Sequence, residues 1–285
     1  MKKFTDFGLN ETLLEALSYM NFDEATEIQE KAIPAILEGK DLIGCAQTGT
    51  GKTAAFVLPT LNQVAEEQSD GVQVLILCPT RELAVQIEQQ IQGIAYFTNA
   101  SCYAVYGGGD GVSWEGEADA LKGGADIIVA TPGRLLAHIA RGYVKFDTVK
   151  HLILDEADRM LDIGFYDDII KIIKTLPDER QSLMFSATMA SKIRQLAKQI
   201  LNNPEEISVA ISKPAEGVTQ KVIMAHEEQK VAVVQHVLGD KDDFNSIIIF
   251  CSTKKKVERL ARKLKQKGYS CQGISSDYEQ EAREE

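Results

Sequence analysis

Apolar residues gather along this chain in short continuous runs rather than in alternation with polar ones. The runs fall at residues 41–45, 74–78, 102–106, 126–130, 151–154 and 182–185. A strand wetted on one face alternates, whereas a strand covered on both faces does not, so these runs predict a parallel sheet buried between layers. Segments with helical spacing lie among them. Leu13, Leu14, Leu17 and Met20 mark an amphipathic helix over 11–20, and Ala32, Ile33, Ile36 and Leu37 mark a second. Residues 54–58 read as the start of another, and Leu83, Ile87 and Ile91 recur every four residues until Gly93, which reads as a stop. Alternating strands and helices define an α/β protein with a doubly wound, mostly parallel sheet.

A polar cluster follows every run. In chain order they are Ala46-Gln47-Thr48-Gly49-Thr50-Gly51-Lys52-Thr53, Pro79-Thr80-Arg81-Glu82, Gly107-Gly108-Gly109, Thr131-Pro132-Gly133-Arg134, Asp155-Glu156-Ala157-Asp158 and Ser186-Ala187-Thr188. Open parallel sheets bind ligands at the carboxyl ends of their strands, so the six clusters are expected to converge. The first has the form of a phosphate cradle, G-x-x-x-x-G-K-[ST], with Ala46 in place of the first glycine. Gly49 and Gly51 let backbone N–H groups close around an oxyanion, Lys52 supplies charge for the β- and γ-phosphates, and the Thr53 hydroxyl suits Mg²⁺. Asp155 is assigned to the metal and Glu156 to the attacking water. Arg81, Thr131, Arg134 and the glycine turn offer guanidinium, hydroxyl and N–H donors suited to a sugar-phosphate backbone, a short groove for a single strand.

Charge and composition restrict the picture. A formal charge of −11 and a pI near 5.0 give no global attraction to nucleic acid, so any such site must be a local patch. Five widely spaced cysteines form no C-x-x-C pair, and Cys45, Cys78 and Cys251 lie in apolar runs as buried thiols, which fits a reducing compartment. Asp6, Asn10 and Glu11 interrupt any apolar leader after Met1-Lys2-Lys3, and no apolar run reaches 18 residues, so a soluble, cytoplasmic protein is expected. The 285 residues exceed the usual single domain. They divide into a first domain over 1–211, a Pro- and Gly-bearing linker over 212–219 and a second domain over 220–285. The second opens with strands expected at 221–224 and 246–251 around a helix over 229–238. A basic helix follows, bearing Lys254, Lys255, Lys256, Arg259, Arg262, Lys263, Lys265 and Lys267, either a solvated face or an auxiliary RNA contact.

Gln29, the cradle, Pro79-Thr80-Arg81-Glu82-Leu83-Ala84, the Gly107 turn, Thr131-Pro132-Gly133-Arg134, Asp155-Glu156-Ala157-Asp158, residues 159–165 and Ser186-Ala187-Thr188 resemble DEAD-box RNA helicases in order and spacing. The resemblance spans nearly the whole chain. It implies a RecA-like, phosphate-loop NTPase domain followed by a partial second RecA-like domain, acting on RNA with ATP and Mg²⁺ as cofactors. Phe22, Thr26 and Gln29 would recognise adenine, and residues 46–53 would hold the phosphates. Lys52, Asp155 and Glu156 would be catalytic, with Thr53 and Asp155 on the metal. Pro79, Thr80, Arg81, Gly107, Gly108, Thr131, Pro132, Gly133 and Arg134 would hold single-stranded or short duplex RNA without reading its sequence, and Ser186, Thr188 and Asp158 would couple hydrolysis to strand separation. Asn21, Ala25 and Glu27 stand where the family often has Gly, Pro and Pro. The chain ends soon after Gln280 and Arg283, before the family's arginine-bearing motif, which implies weak ATP hydrolysis. A non-enzymatic ATP- or RNA-binding module and a DNA helicase stay open as alternatives. No residue identifies a protein partner or a membrane contact.

Overall fold

A computed structural model describes residues 2–47, 49–66, 70–107, 114–209, 218–239 and 246–278. The chain forms two compact units, Met1–Lys213 and Pro214–Glu285. The first contains α1 (Glu11–Tyr19), α2 (Glu27–Leu37), β1 (Leu42–Cys45), α3 (Lys52–Glu66), β2 (Val74–Leu77), α4 (Arg81–Ile94), β3 (Cys102–Val105) and α5 (Trp114–Asp119). It continues with β4 (Ile127–Ala130), α6 (Pro132–Ile139), β5 (His151–Leu154), α7 (Ala157–Ile163), α8 (Tyr166–Ile173), β6 (Gln181–Ser186), α9 (Ser191–Ile200) and β7 (Glu205–Ser208). The seven strands form one parallel sheet in the order β3-β4-β2-β5-β6-β1-β7.

Two apolar layers explain why the runs are continuous. Along β2, Val74 and Ile76 face the layer built by α1 to α4, while Leu75 and Leu77 face the layer built by α6 to α9 with Ala120 and Leu121. Strand β6 does the same, with Leu183 and Phe185 on one side and Met184 on the other. Both faces are dry, so neither can be polar. Caps set the helix starts. Asn10 accepts the Leu13 N–H at 2.9 Å before α1, and Thr80 accepts the Leu83 N–H at 3.3 Å before α4. Pro132 opens α6, where its missing N–H is not needed.

Two helices run past their apparent stops. Helix α4 continues through Gly93 to Ile94, because burying Ile87, Ile91 and Ile94 outweighs the roughly 1 kcal/mol that a helical glycine costs. Helix α3 continues through Pro59 to Glu66, buried along most of its length between α2 and the sheet, with the Thr60 hydroxyl donating to the Phe56 carbonyl at 2.7 Å. Of the thiols expected inside, Cys78 is buried, while Cys45 and Cys251 are half-buried, and all three are free.

The second unit departs further. It contains α10 (Lys230–Gly239) and the basic α11 (Lys254–Gln266), but among its described residues the runs at 221–224 and 246–250 form no strand. Alternate side chains such as Val222 and Phe250 are 90% and 93% exposed. An apolar run becomes a strand only when another backbone pairs with it, and no such pairing occurs here. Two lysines of α11 are ion-paired within the unit, Lys256 to Glu227 at 2.5 Å and Lys254 to Asp277. Among the described residues no helix is long and apolar enough to cross a membrane.

Gly44 on β1 stands opposite Phe185 on β6, and a Cβ there would lie 2.6 Å from two carbons of the buried ring. Gly44→Ala is expected to destabilise the first unit by roughly 1–3 kcal/mol, the usual range for overpacking a closed core. Thermal unfolding reads this directly; an unchanged Tm would mean that the Phe185 ring gives way without cost.

Candidate active site and nucleic-acid interface

Strand order sorts the six clusters into two groups. Sequence order interleaves them, but at the carboxyl edge the ends of β3, β4 and β2 are neighbours and carry Gly107, Thr131–Arg134 and Pro79–Arg81 in numbered order of the sheet. The ends of β5, β6 and β1 are likewise neighbours and carry residues 155–158, residues 186–188 and the cradle. One half of the edge is rich in cationic, hydroxyl and amide donors. The other combines the cradle with carboxylates.

In the cradle, Gly49 and Gly51 have φ of +85° and +86°, a conformation that side-chain-bearing residues rarely adopt. Gly51 is constrained further, because a Cβ would lie 2.5 Å from the Gln29 side-chain nitrogen. The Gln29 Nε2 donates to the Gly51 carbonyl at 3.0 Å, and its Oε1 accepts the Thr26 N–H at 2.9 Å. Gln29 is 2% exposed, so its amide pins the cradle to the start of α2. Thr50 donates to the Gln47 carbonyl at 2.7 Å, and the buried Ala46 donates its N–H to the Ser186 carbonyl at 3.1 Å. Thr48 lies outside the described residues, and Thr53 is half-buried in the first turn of α3. Lys52 is 7% exposed, and its ammonium is buried without a hydrogen-bond partner among the described residues.

The Phe22 ring packs 6.3 Å from that of Phe4 and lines a groove of about 780 Å³ with Leu14, Leu17 and Asn21. The departures from the family pattern have local explanations. Asn21 takes φ +56°, which Asn tolerates better than most residues in place of glycine. Glu27 opens α2 and pairs with Lys31 at 2.7 Å, and Ala25 is fully buried.

Asp155 is 3% exposed, and that burial pushes its carboxyl up to about 6, although the Lys52 charge and the Glu156 N–H, 2.9 Å from Oδ1, both favour the anion. Glu156 takes φ +50° and ψ +49°, a left-handed conformation that costs a non-glycine residue on the order of 1–3 kcal/mol. The residues flanking it, Asp155 and Ala157, are buried and hold it there, and its half-buried carboxylate lies 3.3 Å from Arg159. Ser186 is buried, donates to the Thr188 carbonyl at 2.7 Å and accepts the Thr188 N–H at 3.3 Å. Thr188 in turn donates its hydroxyl to Asp158 at 3.1 Å. A carboxylate, a strained neighbour suited to orient water, and a partnerless ammonium beside an anion-binding turn together suit Mg²⁺ and a polyphosphate.

On the other half, Thr80 caps α4 and Arg81 lies 5.3 Å over the Tyr106 ring. Pro79 and Pro132 are buried, Gly133 is exposed, and Thr131 and Arg134 are half-buried. Gly107 comes within 3.7 Å of the Arg134 side chain if given a Cβ, so these two are neighbours; Gly108 and Gly109 lie outside the described residues. Arg134 Nε donates to Glu117 at 2.7 Å, and its guanidinium lies 4.4 Å over Trp114. Glu117 also accepts the Tyr106 N–H at 3.0 Å and the His138 Nε2 at 2.7 Å, while the other His138 nitrogen meets the Tyr143 hydroxyl. Burial holds His138 below its ordinary value, so the neutral ring donates to Glu117 and accepts from Tyr143. Sequence reasoning missed Trp114, Glu117, His138 and Tyr143. The available signal was a charged residue, Glu117, four positions before the buried Leu121 on an otherwise apolar face.

A RecA-like α/β fold with a phosphate cradle and carboxylates at one sheet edge defines the class of this domain. Residues 26–196 match the DEAD/DEAH box helicase family, and the chain belongs to it. It is 45% identical over 284 residues to an ATP-dependent RNA helicase CshA of Listeria monocytogenes, covering 99% of this chain and 54% of that protein. A DEAD-box ATP-dependent RNA helicase CshA of Geobacillus kaustophilus is 40% identical, with 99% and 60% covered. The chain thus spans little more than half the length of these relatives. The crystal structure of a DEAD box protein from the hyperthermophile Methanococcus jannaschii superposes with a TM-score of 0.68 at 34% identity, covering 99% of this chain and 75% of that one.

The shift of Asp155 has a consequence for stability. Its carboxyl holds a proton more tightly when folded, at about 6, than at its ordinary 3.8, so the metal-free fold loses stability as pH rises through that window, by about 3 kcal/mol in all. Asparagine carries no such penalty. In EDTA, Asp155→Asn is therefore expected to be more stable than wild type above pH 6, with the gain vanishing near pH 4; unfolding at four pH values tests it, and a pH-independent difference would contradict the assignment.

Proposed function

We propose that this chain binds Mg-ATP in the cradle and single-stranded RNA along the β3-β4-β2 edge, and that it forms part of an ATP-dependent RNA helicase that couples hydrolysis to local duplex unwinding. The observation that carries this reading is the buried Lys52 ammonium, which has no hydrogen-bond partner among the described residues and sits at the cradle with its charge felt by Asp155. A buried cation without a partner is costly, and a polyphosphate anion is the partner the surrounding N–H groups suit.

In this reading Gly49, Thr50, Gly51 and Lys52 hold the β- and γ-phosphates, and Thr53 and Asp155 hold Mg²⁺. The ion, when bound, supplies positive charge against the charge developing on the transferred phosphoryl group. Glu156 orients the attacking water and takes its proton. Gln29 still has one amide N–H and one oxygen lone pair beyond its bonds to Gly51 and Thr26, enough to pair with the N7 acceptor and N6 donor of adenine. Thr26 and the Phe22 ring complete that recognition. Arg81, Thr131, Gly133, Arg134 and the Gly107 turn hold phosphates and sugars, so binding is independent of sequence. Ser186, Thr188 and Asp158 transmit the state of the cradle to the carboxylate cluster through the hydrogen bonds already described.

Steady-state ATP hydrolysis with and without single-stranded RNA tests the proposal. RNA is expected to raise a weak basal turnover, and Glu156→Gln to abolish it while ATP still binds. Lys52→Ala is expected to weaken ATP binding itself. ATP binding without RNA-stimulated turnover would reduce this chain to a binding module. Equal stimulation by a deoxyribose strand would remove the assignment to RNA, because the 2′-OH is what distinguishes the two.

A further inference from the structure

Glu117 is a carboxylate with no solvent exposure, on the short helix α5, and it takes part in none of the chemistry proposed above. Removing such a charge from water costs several kcal/mol unless donors surround it. Three do. Oε1 accepts the backbone N–H of Tyr106, and Oε2 accepts from both Arg134 Nε and His138 Nε2. Each donor leads to the edge assigned to RNA. Tyr106 immediately precedes Gly107, and its ring lies under the Arg81 guanidinium. Arg134 is the last residue of the Thr131–Arg134 cluster. His138 stacks on Trp114 with ring centroids 3.8 Å apart and planes 15° from parallel, and Trp114 in turn lies under the Arg134 guanidinium.

We infer that Glu117 is a positioning residue for the RNA grip, fixing Arg134 in one arrangement before RNA arrives. The inference rests on the RNA reading above. Its physical basis is the geometry of the arginine. Glu117 occupies only the Nε–H, and among the described residues the four N–H groups on the two terminal nitrogens are left for a phosphate. A flexible arginine loses rotamer freedom when it grips a ligand; one already held by a carboxylate and an indole has lost it on folding.

A carboxylate that merely stabilised the fold would weaken RNA binding independently of Arg134, so the test measures the coupling between the two. Fluorescence anisotropy of a labelled single-stranded RNA, at several salt concentrations, compares wild type, Arg134→Ala, Glu117→Ala and the double variant of the whole chain, with ATP affinity as a control. Arg134→Ala and Glu117→Ala are each expected to weaken RNA binding about tenfold, the scale of one charge-assisted hydrogen bond. The double variant is expected to fall no more than about twofold below Arg134→Ala. Each single variant is expected to make the slope of log affinity against log salt shallower by about 0.7, one phosphate contact on a single strand. Glu117→Gln keeps the volume but offers one acceptor oxygen to three donors; it is expected to bind between wild type and Glu117→Ala, and it carries the measurement if Glu117→Ala does not fold. Wild-type affinity in both Glu117 variants, or losses that multiply with that of Arg134→Ala, would overturn the inference alone. Wild-type affinity in Arg134→Ala would instead overturn the RNA groove, and this inference with it.

Discussion

Strand β6 lies hydrogen-bonded between β1 and β5, and the site depends on that placement. The register Cys45↔Ser186 puts the end of β6 beside the entrance to the cradle, where the Ser186 carbonyl takes the Ala46 N–H. From there the Ser186 hydroxyl ties to Thr188, and the Thr188 hydroxyl reaches Asp158. A continuous path of hydrogen bonds therefore runs from the phosphate turn to the carboxylate cluster across three strand ends. Moving β6 by one residue would break it at both ends, because a one-residue slip in a sheet turns every side chain to the opposite face.

On this frame the first unit accepts local conformations that do not favour its own stability. Glu156 sits in a left-handed conformation, the Lys52 ammonium is buried without a partner among the described residues, and burial pushes the Asp155 carboxyl up to about 6. All three lie at the β5 and β1 ends. A strained residue and a buried charge gathered at one sheet edge are a usual mark of a site whose ligand completes it. The rest of the core offsets the cost: β2, β5 and the centre of β6 are buried on both faces, with Phe56 and Phe185 in contact across the α3 layer.

The sheet was legible in the sequence because a strand dry on both faces must be apolar throughout, and the clusters were legible because glycines, an arginine or paired acids after such a run have few structural uses. Other features depended on information the local sequence lacks. Helix α3 passes Pro59 and α4 passes Gly93 because tertiary burial overrides propensity. The runs at 221–224 and 246–250 have the composition of strands, but composition supplies no pairing partner. The role of Gln29 as a brace for Gly51 was hidden, since 22 residues separate them and only the fold brings the amide to the cradle. Glu117 was harder still: its three donors come from Tyr106, Arg134 and His138, on different elements, and no spacing links them.

The two buried carboxylates at this sheet edge stand in different surroundings. Glu117 and Asp155 are both almost completely shielded from water. Glu117 has three donors on its two oxygens, so its carboxyl is held in one place together with the groups it touches. Asp155 receives one backbone N–H and a cation too distant to bond, so its charge is incompletely compensated and its protonation responds to what enters the site. Under the proposed function, a grip for any sequence needs donors fixed in advance, whereas a polyphosphate site gains from a group whose charge is incompletely compensated. The difference lies in how many donors surround each carboxylate. The strand order keeps the two surroundings separate, β3-β4-β2 for the first and β5-β6-β1 for the second.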